Sequence, residues 1–130
     1  MALTVGLADT SVFIAGEAGR PLEVSELPER LAVSIITIGE LRAGVLAATK
    51  PDARARRLAT LEHALSLDPL PIDDRVAAAW ALLRVQLRDS GQRMTVNDSW
   101  IAATALAHGL AVVTQDDDYA AAPGLAVIKV

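Results

Sequence analysis

Residues 112–119 read VVTQDDDY. Two valines and a threonine have the β-branched, apolar character of the end of a buried strand. Asp116, Asp117 and Asp118 follow at once. Like charges this close repel, and burial raises the cost of ionising each of them. Asp is also a common turn residue. One reading is therefore a solvated turn, and the other is a strand end built to receive a cation. The flanking segments decide between them.

Just upstream, NDSWIAATALAHG (97–109) carries the start and stop signals of a helix and runs into the strand LAVVTQ (110–115). Downstream, LAVIKV (125–130) reads as a last strand. The N-terminal half alternates in the same way. LTVGLAD (3–9) is a short apolar run, as expected of a parallel strand buried on both faces. TSVFIAGEAG (10–19) is a short helix stopped by glycines, and PLEVSELPER (21–30) is polar with one helical turn. LAVSII (31–36) is the second strand and TIGELRAGVLAAT (37–49) the helix after it. Pro51 opens PDARARRLATLEHALSL (51–67) in the favoured first-turn position. LPI (70–72) is a minimal strand, and DDRVAAAWALLRVQLRDSG (73–91) is a helix with an Asp cap and a terminal Gly91. Strands alternating with helices form βαβ units, so the class is α/β with a mostly parallel sheet. No repeat or linker divides residues 1–130, which read as a single domain.

Composition narrows the function. No apolar run reaches the ~20 residues of a membrane-spanning helix. The segment MALTVGLADTSVFIAG lacks a basic lead-in and is interrupted by Asp9, unlike a signal peptide, so a cytoplasmic protein is expected. The absence of cysteine excludes disulfides, thiol catalysis and zinc–thiolate sites. The net charge is −4, from 12 basic and 16 acidic residues, which alone argues weakly against nucleic acid.

In open α/β sheets, ligands bind beyond the carboxyl ends of the strands, where the strand order reverses. Asp9 ends the first strand and Asp116 the strand before last, so neighbouring strands would bring them together. Asp9 also stands where it can cap the following helix, and either Asn97 or Asp98 can cap a later one. Capping does not exclude ligation, because a side chain at a helix start sits at the sheet's rim. Glu40 shares a helical face with Ile36, Thr37, Ala43, Gly44 and Ala47. That small apolar face suits close packing on the sheet and leaves the carboxylate poorly hydrated, in need of a partner from elsewhere. An arginine is one such partner. Along an extended chain Asp116 and Asp118 share one side, with Asp117 opposite. Asp9, Glu40, Asp98 and Asp116 thus come from four elements near one rim. Hard oxygen ligands without His or Cys select Mg²⁺ or Mn²⁺.

These residues resemble the PIN-domain ribonucleases, most closely the VapC toxins of bacterial toxin–antitoxin pairs. The matching pieces are LADTSVFIAG with Asp9, SIITIGELRAGV with Glu40, VNDSWIAATALAHGLAVVTQDDDY with Asp98 and Asp116, and the closing PGLAVIKV. The likeness covers nearly the whole chain. It implies an α/β/α sandwich around a parallel sheet of strand order 3-2-1-4-5, which puts the first and fourth strands side by side. It also implies a Mg²⁺- or Mn²⁺-dependent endoribonuclease leaving 5′-phosphate and 3′-hydroxyl ends. Asp9, Asp98 and Asp116 would hold the metal, and Glu40 would ligate a second ion or position the attacking water. Asp118 matches a less regular acidic position. Tyr119 stands where many relatives have Phe, and Gln115 where Arg or Asn is frequent. Thr10, Ser11, Asn97 and Thr114 are candidate supporting hydrogen-bonders. The expected partners are RNA, a second copy of the chain in a homodimer, and a cognate antitoxin whose Arg or Lys enters the acidic groove.

Setting the four site acids aside leaves 12 basic and 12 acidic residues, so an acidic chain remains compatible with RNA. Candidate phosphate contacts are Arg54, Arg56 and Arg57, and Arg84 with Arg88 one turn apart; a solvated helix face is the plain alternative for each cluster. His63 and His108 read as structural or surface residues rather than an acid–base pair. A phosphoacceptor signalling domain is a rival, weakened because Lys129, inside the final strand, is the only lysine after residue 50. A PIN-like module that binds RNA or protein without cutting is the other rival. Four intact carboxylates argue against it.

Overall fold

The computed structural model describes residues 4–130; Leu3, placed in the first strand by the sequence, lies outside them. The strands β1 (Val5–Ala8), β2 (Arg30–Val33), β3 (Ala111–Thr114) and β4 (Val127–Lys129) form one parallel sheet of order β2-β1-β3-β4. Leu70 continues the sheet beyond β2. Its N–H donates to Val33 O at 2.8 Å and its carbonyl accepts from Ile35 N at 2.9 Å, in a single parallel bridge to Ser34. The expected strand at 70–72 is therefore one residue of pairing. With that segment counted, the order is the expected 3-2-1-4-5, and β1 and β3 are neighbours.

The helices are α1 (Thr10–Ala18), α2 (Ile35–Ala47), α3 (Pro51–Leu65), α4 (Asp74–Ser90) and α5 (Val96–His108), with one 3₁₀ turn at Val24–Glu26. Ile35 and Ile36 belong to α2, not to the second strand as the apolar run suggested. The deciding residue is Ser34, whose Oγ accepts from Ile36 N at 3.0 Å and caps the helix two residues early. Similarly, neither Asn97 nor Asp98 caps α5. Thr95 does, with its Oγ1 accepting from Asp98 N at 3.2 Å, so Asp98 sits inside the first turn.

Pleat alternation sorts the strand side chains between two helical layers. Ala8, Val33 and Val113 are in register and pack with Val12, Phe13, Ile38, Leu41 and Leu61 of α1, α2 and α3. Leu7, Ala32 and Val112 face the other way, onto Leu83, Leu87, Ile101 and Ala105 of α4 and α5. This is the α/β/α sandwich. Gly6 marks its tightest point. A Cβ there would stand 2.6 Å from Val113 Cγ2 and 2.9 Å from Pro28 Cγ. Val113 is fully buried and has no room to yield. Gly6→Ala is therefore expected to destabilise the fold by about 1–3 kcal/mol through overpacking, measurable as a lower urea midpoint with unchanged slope.

Candidate active site

The carboxyl ends of β1 and β3 deliver the site. Asp9 follows β1 directly, and its N–H donates to Val113 O at 3.0 Å, which holds the two strand ends together. The Asp9 side chain is only 3% exposed. Its Oδ1 accepts from Ser11 N at 3.1 Å and Ser11 Oγ at 2.5 Å, capping α1, and its Oδ2 accepts from Thr114 Oγ1 at 2.8 Å. Thr114 in turn accepts from Asp116 N at 2.9 Å. Ser11 Oγ also accepts from Gln115 N at 3.0 Å. A buried mesh of two hydroxyls thus fixes Asp9 and the start of the acidic loop. Ser11 and Thr114 take the supporting places expected of them, whereas Asn97 is exposed on the first turn of α5.

Glu40 lies on α2 across from Thr10. Thr10 Oγ1 donates to Glu40 Oε1 at 2.8 Å and stands 3.0 Å from Thr37 Oγ1. The expected packing of the Glu40 face against the sheet is not found. Thr37, Ile38 and Leu41 carry the buried stripe, Ala43 and Ala47 are exposed, and Glu40 is half-buried at the border. Its hydration is therefore not the poorest of the four acids; that of Asp9 is. Its partner is a hydroxyl rather than an arginine.

The three successive aspartates separate, though not by strand alternation, since β3 stops at Thr114 and residues 115–117 form a bend. Asp117 pairs with Lys129 of β4. The Asp116 charge acts on Asp9, and those of Asp118 and Glu40 act on Asp98. Burial raises the carboxyl pKa of Asp9 above its ordinary value; hydrogen bonds from Ser11 and Thr114 oppose the shift, and the Asp116 charge adds to it. Asp98 is raised too, by burial first and then by Asp118 and Glu40. Among the described residues, no ion pair reaches Asp9, Glu40, Asp98 or Asp116.

Tyr119 is the site residue that sequence reading missed. It is 1% exposed, and its hydroxyl donates to Asp98 Oδ1 at 3.3 Å while lying against Asp9. Burial and the two carboxylates drive its phenol pKa far above normal, so it stays a proton donor. The one available signal was a polar-tipped aromatic three residues beyond Asp116. A phenol buried next to acids needs an acceptor.

The raised carboxyl pKa values carry a pH prediction. A carboxyl whose pKa is higher in the folded state binds protons more readily there than in the unfolded chain. The stability penalty is then fully present above the folded pKa and is relieved as pH falls through it toward the unfolded value of 3.8. In chelator, the urea midpoint is expected to rise as pH is lowered from neutral through this window. Asp9→Asn is expected to flatten that rise.

Carboxylate and hydroxyl oxygens are the donors that hard divalent cations take, and His or Cys donors are not involved. Among the described residues, no group of three or more acidic or histidine side chains is gathered into a finished ion-binding shell. Asp9 and Asp98 are anchored, while Asp116 is exposed. The set suits Mg²⁺ or Mn²⁺ in kind.

A family model for the PIN domain matches residues 7–125. The chain belongs to the PIN-domain family. This PIN domain is 51% identical over 125 residues to ribonuclease VapC5 of Mycobacterium tuberculosis, covering 96% of this chain and 93% of that one. It is 54% identical over 129 residues to ribonuclease VapC4 of the same species, covering 95% of each. The solved structure of a member of the VapBC family of toxin–antitoxin systems, VapBC-5 from M. tuberculosis, matches with a TM-score of 0.89 at 48% identity, over 98% of this chain and 99% of that one. Within the family, this PIN domain groups with the VapC proteins.

Proposed function

We propose that the protein is a divalent-metal-dependent endoribonuclease, the toxin of a toxin–antitoxin pair, which cuts RNA phosphodiesters to leave 5′-phosphate and 3′-hydroxyl ends. The observation that carries this reading is the acid cluster itself. Asp9 feels the Asp116 charge, Asp98 feels those of Asp118 and Glu40, and Tyr119 lies against both Asp9 and Asp98. Among the described residues, none of Asp9, Glu40, Asp98 and Asp116 has an ion-pair partner. Their structural contacts are the α1 cap and hydrogen bonds from hydroxyls, which a neutral oxygen would also accept, so the charge itself opposes the fold. The relatives support the rest: VapC4 and VapC5 are named as ribonucleases, and VapBC assemblies are named as toxin–antitoxin systems.

Asp9, Asp98 and Asp116 are the residues that would hold Mg²⁺ or Mn²⁺. When bound, the ion lowers the pKa of water and offsets charge on the scissile phosphate and leaving oxygen. The chain's own residues do the positioning. Ser11 and Thr114 fix both oxygens of Asp9. Tyr119 orients Asp98, and Thr10 holds one oxygen of Glu40. The second Glu40 oxygen remains to ligate an ion or accept a proton from the attacking water. Histidine acid–base chemistry has no place here. His108 lies at the far end of α5 from Asp98, about 15 Å away at 1.5 Å per residue, and His63 is beside Phe13. Purified protein is expected to cut RNA with Mg²⁺ or Mn²⁺ and to stop on addition of chelator; equal cutting in chelator would refute the reading.

We further propose a homodimer. Exposed Leu82 and Val85 on α4 supply apolar surface for it. Sedimentation is expected to give twice the monomer mass at tens of micromolar.

A further inference from the structure

A cavity of about 620 Å³ reaches Asp98 and is lined by Thr95, Asp98, Asp118, Arg93, Gln92 and Met94 among others. A second, of about 420 Å³, shares Gln92, Arg93 and Met94 with it and continues past Arg88 and Arg84 of α4. The lining is acidic at Asp98 and Asp118 in the first and basic at Arg84 and Arg88 in the second, and Arg93 is common to both. Arg93 is exposed and, among the described residues, forms no ion pair. Arg88 pairs only with its exposed neighbour Asp89, at 3.1 Å. Arg84 lies 5.6 Å from the Trp80 ring centroid.

The arginines of α3 are disposed differently. Arg54 donates to Ala48 O at 2.9 Å and Arg57 to Gly44 O at 2.7 Å, so both clamp the end of α2. Arg56 pairs with Asp52 at 3.4 Å. Arg57 also lines a cavity of about 300 Å³ with Glu40, but its guanidinium is committed to the Gly44 carbonyl. Of the two basic clusters, the α4 one is the one whose arginines, among the described residues, are free of backbone contacts beside a cavity that reaches Asp98.

We propose that this pair of cavities, over the C-terminal half of α4 and the turn into α5, is the track for the single-stranded RNA backbone leaving the cleavage centre. Arg93 contacts the phosphate nearest the acids, and Arg88 and Arg84 take those beyond. The proposal rests on the nuclease reading above. A polyanion brought against clustered carboxylates is repelled unless cations flank them, and the two cavities put three arginines on one flank. The nearby indoles do not serve as base platforms, because Trp80 and Trp100 are stacked on each other at 4.3 Å between centroids. Recognition along the track is therefore of phosphate, which makes it strongly salt-dependent.

The test is fluorescence anisotropy with a labelled single-stranded RNA of about twelve nucleotides. It uses the full chain with Mg²⁺ present and an Asp9→Asn background that keeps the RNA intact. Arg88→Ala and Arg93→Ala are each expected to lower the slope of log affinity against log salt by about 0.7, and the double variant by about 1.4. Arg56→Ala, on α3, and Arg30→Ala, at the opposite end of the sheet, are expected to leave it unchanged. Melting temperatures of all five variants confirm folding. An unchanged slope in the double variant while the parent binds, or a fall in Arg56→Ala instead, overturns the track and leaves the nuclease reading standing. If the parent binds no RNA and the wild type cuts none, the nuclease reading fails and the track with it.

Discussion

Asp9→Asn is expected to abolish RNA cleavage, by at least about a hundredfold, and to raise the melting temperature of the metal-free protein. Both follow from one residue doing two jobs. As the cap of α1, Asp9 needs only an oxygen, and Asn keeps Oδ1 for Ser11 N. On the other side, the Asn amide would face Thr114 Oγ1, which reverses its hydroxyl to accept. What disappears is a buried negative charge facing Asp116. Removing it relieves repulsion in the empty site and takes away the most deeply held anionic donor. A cleavage assay beside a thermal melt reads both effects. A variant that cuts normally, or that loses activity by unfolding, would sink this assignment.

Glu40→Gln carries the second large effect, a comparable loss of cleavage with no change in stability. Gln keeps an acceptor for Thr10 Oγ1, and the half-buried position on α2 tolerates a neutral amide. The loss therefore reports the missing charge. If Glu40 ligates an ion, the Mn²⁺ concentration for half-maximal cutting rises; if it handles the attacking water, the rate falls at an unchanged metal requirement. The half-open position also makes Glu40 reachable by an inserted antitoxin arginine, which Asp9, buried beneath, is not. The substitution is accordingly expected to weaken antitoxin binding by about 1.5–3 kcal/mol, the value of a charge-assisted hydrogen bond. Glu62→Gln, at an exposed position on α3, should change neither quantity. Unchanged antitoxin affinity in Glu40→Gln would mean that inhibition works by another route.

Much of this molecule was legible in its chain because its signals are local. Helix stops at Gly91 and Gly109, Pro51 at a first turn and short apolar runs between helices specify the α/β alternation without tertiary information. What the sequence misplaced depends on competition between neighbours. Ser34 captures Ile35 and Ile36 for a helix although both favour strands, because a cap outweighs β-propensity at the end of a run. Thr95 caps α5 from a position that Asn97 and Asp98 appeared to contest. The Glu40 face was misjudged because a list of small residues does not reveal which side of a helix the sheet covers. The contacts of Tyr119, Arg54 and Arg57 were not legible for a further reason. The Tyr119 contact with Asp98 and the Arg57 contact with Gly44 cross more than ten residues of chain, and Arg54 reaches back over the turn between two helices to Ala48.

Calorimetric titration of Mn²⁺ into the RNA-free protein, paired with cleavage rates in the same samples, addresses the central claim most directly. The acid cluster is expected to bind the ion with a midpoint that coincides with the midpoint of activity, and Asp9→Asn is expected to lose both together. Full cleavage in excess chelator, or a metal dependence untouched by Asp9→Asn, would contradict the account.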